Sequence, residues 1–444
     1  MSIIRKNQVA DKAKYLLSFV LIALLFVVLE ERLAWLVVKD YPNSTDGFYY
    51  LQELKHRIQN GSAYYTTNSP FFTFWAELGK LFNLSPYAIF NLIFICSFLF
   101  FSIALKINAG APFYDWRVLS IIYVYLSSDI LFYRHYAFLK QGFAVSLLLL
   151  GAAILNRRWE RTESNRYAFV TGLCLVLAAS SMHVFIAGLV LGFILFALVP
   201  IQLKYIKFSF AALILAVFVF YLSTTNKYIF QFNELGSSGW WGACIELKCS
   251  QFEWLEFLLY SIFFAFIVLS VFFYREIRGN SYVTFLVAAC FILNLPIWAL
   301  EGDMHKRLAF SSVWLVFFLF TFTTGFKNGK LRLISNIYLL IITFFMTFSP
   351  GITEKKAYQE SRMSFDILEK NSEKLKHWIA EDSFILAEHG LQFAITYFLE
   401  RKSSYTKRKL SENTTVYHLR KKTGYEICTN IEELTEKEDP HCAR

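Results

Sequence analysis

The chain has 444 residues, 56% of them hydrophobic and 19% aromatic, and only 18% are charged. Soluble domains carry about a quarter charged residues, so this balance excludes an ordinary soluble domain and points to lipid as the solvent. The formal net charge of +10 is read as the cytoplasmic loops of a membrane protein, and no nucleic-acid partner is expected.

The apolar residues fall in runs of about 18 to 25, the length a helix needs to cross about 30 Å of hydrocarbon. Lipid offers no partner to a bare backbone N–H or C=O, so helices are expected, and the short alternating segments of a transmembrane barrel do not occur. The first run, residues 15–38, is too long for a signal-peptide core and has no small-residue cleavage site, which makes it a retained helix. Glu30, Glu31 and Arg32 interrupt its far end, either paired with one another or turned to the bundle interior. Further spans are predicted at 87–105, 118–133, 138–155, 167–182, 183–199, 208–224, 254–273, 281–300, 308–326 and 333–350. The stretch from Tyr167 to Val199 is too long for one crossing, and Ser180-Ser181-Met182-His183 supplies a polar break at its middle.

Charge tests this threading. With Arg5, Lys6, Lys12 and Lys14 inside, the inner loops hold Lys106 and Arg117; Arg157, Arg158, Arg161 and Arg166; Lys204 and Lys207; Arg275 and Arg278; and Lys327, Lys330 and Arg332. All five are basic, as cytoplasmic loops are. An odd number of spans leaves the tail outside. The expected fold is therefore an all-α polytopic membrane bundle of about 11 transmembrane helices over residues 1–350. Residues 351–444 are expected to form a small extracytoplasmic α/β domain. In it, 364–379 and 393–399 have helical character, and 384–386 and 415–417 read as strands.

The outer loops gather the unusual polar residues. The first, 39–86, carries Asp40, Asp46, Glu53, His56 and Arg57. Arg134-His135-Tyr136 forms a short second loop, with Lys140 just inside the next helix. His183 is the third outer point, 223–253 the fourth loop, and Glu301-Gly302-Asp303-Met304-His305-Lys306-Arg307 the fifth. Ionisable groups at such depth are costly and mark function by default. Each also has a plainer reading: Asp40 as the polar end of a helix, Asp46 as a helix N-cap, Lys306 and Arg307 as snorkelling cations, and His183 as a satisfied core histidine.

Cys96, Cys174 and Cys290 lie in apolar spans and read as core residues. Cys244 and Cys249 share an outer loop, as a disulfide or as two thiols. Cys428 and Cys442 in the tail stay undecided as well. There is no CxxC pair, no His/Cys metal pattern, no Walker motif and no internal repeat, so nothing supports ATP-driven transport.

Asp46-Gly47-Phe48-Tyr49-Tyr50-Leu51, then Asn60-Gly61-Ser62-Ala63-Tyr64-Tyr65, then Asn68-Ser69-Pro70-Phe71-Phe72 resembles the segment after the first helix in the GT-C superfamily of membrane glycosyltransferases. There an acidic residue precedes an aromatic amphipathic stretch, a Gly…Tyr step and a Pro-containing start to the next apolar region. The region from Gly172 to Leu189 is similar to that family's middle helix pair. Two departures stand out. The adjacent acids or Asp-x-Asp common in the family are replaced by the separated Asp40 and Asp46, and its Pro-Pro is Ser69-Pro70 here.

The resemblance implies transfer of a sugar from a polyprenyl-phosphate donor to a glycan, lipid or protein acceptor on the outer side of a bacterial cytoplasmic membrane. Inversion at the transferred sugar is expected. Asp46, ahead of Asp40, takes the role of general base. Arg307, Lys306 and Lys140 take the donor phosphate, and His183, His135, Glu301 and Asp303 complete the candidates. A divalent cation is left open. Leu139-Lys140-Gln141-Gly142-Phe143-Ala144, followed by Ser181-Met182-His183, is also similar to the Wzy/EpsG-like polysaccharide polymerases, with Lys140 where that family has arginine. A lipid-linked glycan transporter is a third class, against which stands the lack of repeat symmetry and of half-helices broken by Gly or Pro.

Overall fold

The structure, a computed structural model, describes residues 2–37, 45–65, 69–110, 112, 114–160, 166–198, 251–272, 281–294, 302–322, 329–348, 365–366, 368–381, 383–387, 392–404, 416–422, 426–431 and 441–443. The predicted span 208–224, Asp40, Glu301, Cys244 and Cys249 lie outside these residues. The chain divides into two compact units: Met1–Ala34 with Phe94–Ile352, and Trp35–Ile93 with Thr353–Arg444.

The first unit is helical. It holds most of α1 (Ser2–Val37) and of α4 (Pro86–Ala109), then α5 (Trp116–Ser127), α6 (Asp129–Ala137), α7 (Leu139–Glu160), α8 (Arg166–Met182) and α9 (Val184–Leu198). After the undescribed 199–250 come α10 (Gln251–Phe272), α11 (Ser281–Asn294), α12 (Gly302–Phe322) and α13 (Gly329–Phe348). Among the described residues, four helices are long and apolar enough to cross a membrane: Pro86–Ala109, Leu139–Asn156, Trp254–Phe272 and Lys330–Thr347. Along α1, Tyr15, Leu16, Phe19, Phe26 and Val27 are exposed, an apolar stripe suited to lipid.

Three boundaries differ from the sequence reading. The predicted span 118–133 is interrupted at Ser128, whose hydroxyl caps α6 by accepting from the Leu131 N–H at 3.2 Å. The C-terminal carbonyls of α5 would be orphaned by that break. Arg32 takes them, donating from Nε to the Leu126 carbonyl at 2.8 Å and from Nη2 to that of Ser127 at 3.3 Å, while also pairing with Asp129. Of the two sequence readings of Arg32, the interior one holds, because a buried guanidinium here satisfies groups that lipid cannot. Second, Arg134-His135-Tyr136 is not a loop but the last turns of α6, which ends at Phe138, whose N–H bonds to the Arg134 carbonyl. Third, the expected turn 301–307 is helical from Gly302, so Asp303, Lys306 and Arg307 stand in the first turns of α12.

The predicted break at His183 does separate α8 from α9. α7 and α8 lie close because glycine faces glycine: a Cβ on Gly151 would come within 2.7 Å of the Gly172 carbonyl oxygen. Small residues let helices in lipid approach in this way. The interior is aromatic, with Trp314 against Phe101 at 4.4 Å and Tyr125 at 5.2 Å between ring centroids.

The second unit contains α2 (Thr45–Asn60), α3 (Pro70–Phe82), α14 (Ser372–Trp378), α15 (Gln392–Leu399) and a five-stranded sheet. Its strands are β1 (Phe384–Ala387), β2 (Lys402–Ser404), β3 (Val416–Lys422), β4 (Glu426–Ile431) and β5 (His441–Ala443), in the order β2-β1-β3-β4-β5. β1 is parallel to both β2 and β3; the remaining pairs are antiparallel. α15 is the crossover that a parallel β1–β2 pair requires.

The segment after the first helix thus shares a unit with the tail, and the bond between them is aromatic. Phe48 packs on Phe365, Tyr397 and Phe398 at 4.7, 5.6 and 5.3 Å between centroids. Tyr49 stacks on Tyr65 and meets Phe393 edge-on. Such ring pairs add about 0.5–1.5 kcal/mol each beyond the area they bury. Lys55 on α2 also pairs with Glu400 at 2.7 Å.

Candidate functional site

In the helical unit, cations and a histidine stand at two helix junctions and at the start of α12. The α6–α7 junction supplies Lys140, the second residue of α7. The α8–α9 break supplies His183, and the start of α12 supplies Lys306 and Arg307. The side chain of His183 lies within electrostatic reach of both Lys140 and Arg307. The Arg307 guanidinium stands 4.5 Å from the ring centroid of Phe138, and Arg134 stands 5.6 Å from the same ring. Lys306 is buried, with 8% exposure.

Gln141 fastens this corner. Its side-chain amide donates to the Arg307 carbonyl at 2.7 Å and to the Ser311 hydroxyl. α7 is thereby pinned to α12 beside the two cations. The arrangement is chemically suited to a phosphate, which arginine can grip through two parallel N–H bonds.

Arg134 is committed elsewhere. Its guanidinium makes two bonds of 2.6 Å to the carboxylate of Glu256 on α10, and Tyr260 donates to the same carboxylate at 2.9 Å. Glu256 is fully buried. Sequence reasoning missed it, although a carboxylate inside an apolar run is itself a signal. His135 is fully buried too. Its Nε2 is hydrogen-bonded to the Ser97 hydroxyl at 2.7 Å, and its ring lies against Phe94 and Trp314 at 4.5 and 4.9 Å. Gly142 is obligatory beneath it, since a Cβ there would come within 2.4 Å of the imidazole Cδ2. These contacts describe a packed interior histidine.

The carboxylates are distributed differently. Asp46 belongs to the second unit and sits in the first turn of α2, half-buried, rather than ahead of the helix as an N-cap would. A carboxylate there complements the positive helix terminus. Asp303 lies in the first turn of α12. Among the described residues no three of His, Cys, Asp and Glu converge as a metal ion would need.

The 46–72 segment is organised by a residue the sequence reading passed over. Glu53, fully buried, accepts from Arg57 Nε at 2.7 Å and from the N–H groups of Tyr64 and Tyr65 at 3.1 and 2.9 Å. It thus holds the Gly…Tyr turn against α2. Arg57 reaches on to the Thr73 hydroxyl at 3.0 Å, tying α2 to α3. Burial pushes the Tyr65 hydroxyl above its ordinary range.

No protein-family model matches the chain, and no curated protein does. Among solved structures, the crystal structure of ArnT from Cupriavidus metallidurans in the apo state is similar, with a TM-score of 0.48 and 9% identity over 87% of this chain and 84% of that one. At that level the likeness says nothing about chemistry.

Proposed function

We propose that the chain is a multi-pass membrane glycosyltransferase that takes a sugar from a polyprenyl-phosphate carrier and transfers it to a hydroxyl of a glycan, lipid or protein. The observation that carries the reading is the Gln141 bond to the Arg307 carbonyl, which brings the start of α7, with Lys140, against the start of α12, with Lys306 and Arg307. The likeness of 46–72 to the GT-C superfamily supports it independently. In the reaction the bond from the sugar's anomeric carbon to the phosphate oxygen breaks, and the phosphate keeps the electron pair. Cations held at that oxygen lower the barrier because they meet charge that develops in the transition state. Arg307 and Lys140, with Lys306 beside them, are assigned this role. Asp46 is assigned the acceptor's proton, leaving the acceptor oxygen to attack with inversion. Asp40 is the second candidate for that base, and His183, His135, Glu301 and Asp303 are further site candidates.

The reading places the N-terminus in the cytoplasm and the tail outside, in a bacterial cytoplasmic membrane, as the five basic loops require. Reporter fusions at Lys55 and Lys402 test that placement, and cytoplasmic signal at either position overturns it. A transfer assay with a lipid-phosphate-linked sugar tests the chemistry: Asp46→Asn should abolish transfer while leaving the protein folded, because the amide keeps the size and removes the proton acceptor.

One observation favours a second reading, that of a Wzy/EpsG-like polymerase. Lys140 and His183 both belong to that resemblance, and although far apart in the chain they come within electrostatic reach of each other. Product length separates the two: a ladder of glycans marks a polymerase, and a single added sugar marks the transferase.

A further inference from the structure

The sequence leaves Cys428 and Cys442 undecided; the sheet register does not. β4 and β5 pair antiparallel, with Ile427 opposite Ala443, Cys428 opposite Cys442 and Thr429 opposite His441. Residues directly opposite in such a ladder share one face of the sheet, and their Cα atoms stand about 4.5 or 5.5 Å apart according to whether the pair is hydrogen-bonded. Both separations fall within the roughly 4.4–6.8 Å that a disulfide spans. A slip of one residue would put the two cysteines on opposite faces. We infer that Cys428 and Cys442 are joined as a disulfide that fastens the last strand to the sheet.

The position of β5 gives the link a task. It has three residues, occupies the edge of the sheet and lies at the end of the described chain. So short an edge strand contributes few ladder bonds of its own, and its register with β4 depends on what else ties it there. The cross-link holds β5 in register against β4. Cys96, Cys174 and Cys290 are free and lie in helices of the other unit.

The chemistry is a two-electron oxidation. Two thiols lose two protons and two electrons, the S–S bond forms, and a protein or small-molecule disulfide of the compartment is reduced to two thiols. That oxidant is found outside the cytoplasm, where disulfides persist, so the inference rests on the extracytoplasmic placement of the tail.

Peptide mapping of the full-length protein, alkylated on harvest without reductant, tests it directly. Trypsin cuts after Lys422 and Lys437, which separates Thr423–Lys437 from Glu438–Arg444. The expected product is these two peptides joined, two hydrogens lighter than their sum, resolving into both on reduction. A membrane-impermeant maleimide applied to whole cells should label neither cysteine until reductant is added. If both label from outside without reductant, the disulfide is refuted while the outside placement stands. If both label without reductant only after the membrane is opened, the disulfide and the placement fall together. Pairing of either cysteine with Cys244 or Cys249 would overturn the assignment too, because the register demands these two.

Discussion

The Arg134 guanidinium holds the Glu256 carboxylate through two bonds of 2.6 Å across 122 positions of sequence, joining α6 to α10 inside the helical unit. A buried ion pair gains little over a well-packed apolar pair, but breaking one side leaves a bare charge that costs about 3–5 kcal/mol. Glu256→Gln and Arg134→Ala should each lower thermal stability in detergent by an amount of that order. The double variant Arg134→Met with Glu256→Leu should recover most of it. Equal losses in the single and double variants would show that the ion pair is not the source.

Glu53 should behave similarly in the second unit. It bonds Arg57 and two backbone N–H groups from full burial. Glu53→Ala is expected to cost about 3–5 kcal/mol, since it strands the Arg57 charge as well as two donors. The readout is proteolysis of the 61–69 segment, which should become rapid. An unchanged cleavage rate would mean that Glu53 does not hold that turn.

The role given to Arg307 can be separated from charge alone. If it grips a phosphate through its planar fork, Arg307→Lys keeps the charge and loses the geometry. Donor binding by the purified protein should then weaken by about tenfold, the equivalent of about 1.4 kcal/mol, and Arg307→Ala should weaken it further. Lys140→Ala should also weaken it. Unchanged affinity in Arg307→Ala would end the phosphate assignment and leave the residue as a contact for Phe138.

The Lys55–Glu400 pair predicts a small acid sensitivity. Lys55 holds the Glu400 carboxyl below its ordinary value of 4.5. A carboxylate whose value is lowered on folding adds stability above the unfolded value, and that stability fades as pH falls through the folded value. The contribution should therefore be complete at neutral pH and disappear below pH 4.5. Glu400 keeps 56% of its side chain exposed, so solvent and salt screen the pair and the effect is slight. Glu400→Gln should flatten the acid limb of a pH–stability profile without moving the neutral plateau.

Sequence alone determined what depends on local composition. Run length and charge located the helices now seen at 86–109, 139–160, 251–272 and 329–348, because hydrocarbon thickness sets a length that neighbours in the chain must satisfy together. The polar run at 180–183 announced the α8–α9 break for the same local reason. Phe384-Ile385-Leu386 and 393–399 were legible as a strand and a helix from their own periodicity.

Tertiary structure alone decided what depends on a partner far away. Nothing near Ser128 says that Arg32 will accept the burden of the α5 carbonyls, and without Arg32 an uninterrupted span is the better reading. Nothing near Arg134 names Glu256, nor does the segment at 46–72 reveal that its aromatic face is closed by Phe365, Phe393 and Phe398. The gathering of Lys140, His183 and Arg307 and the register of Cys428 with Cys442 are of the same kind. A pattern of hydropathy fixes which face of an element must be covered, while the residue that covers it is chosen by three-dimensional adjacency.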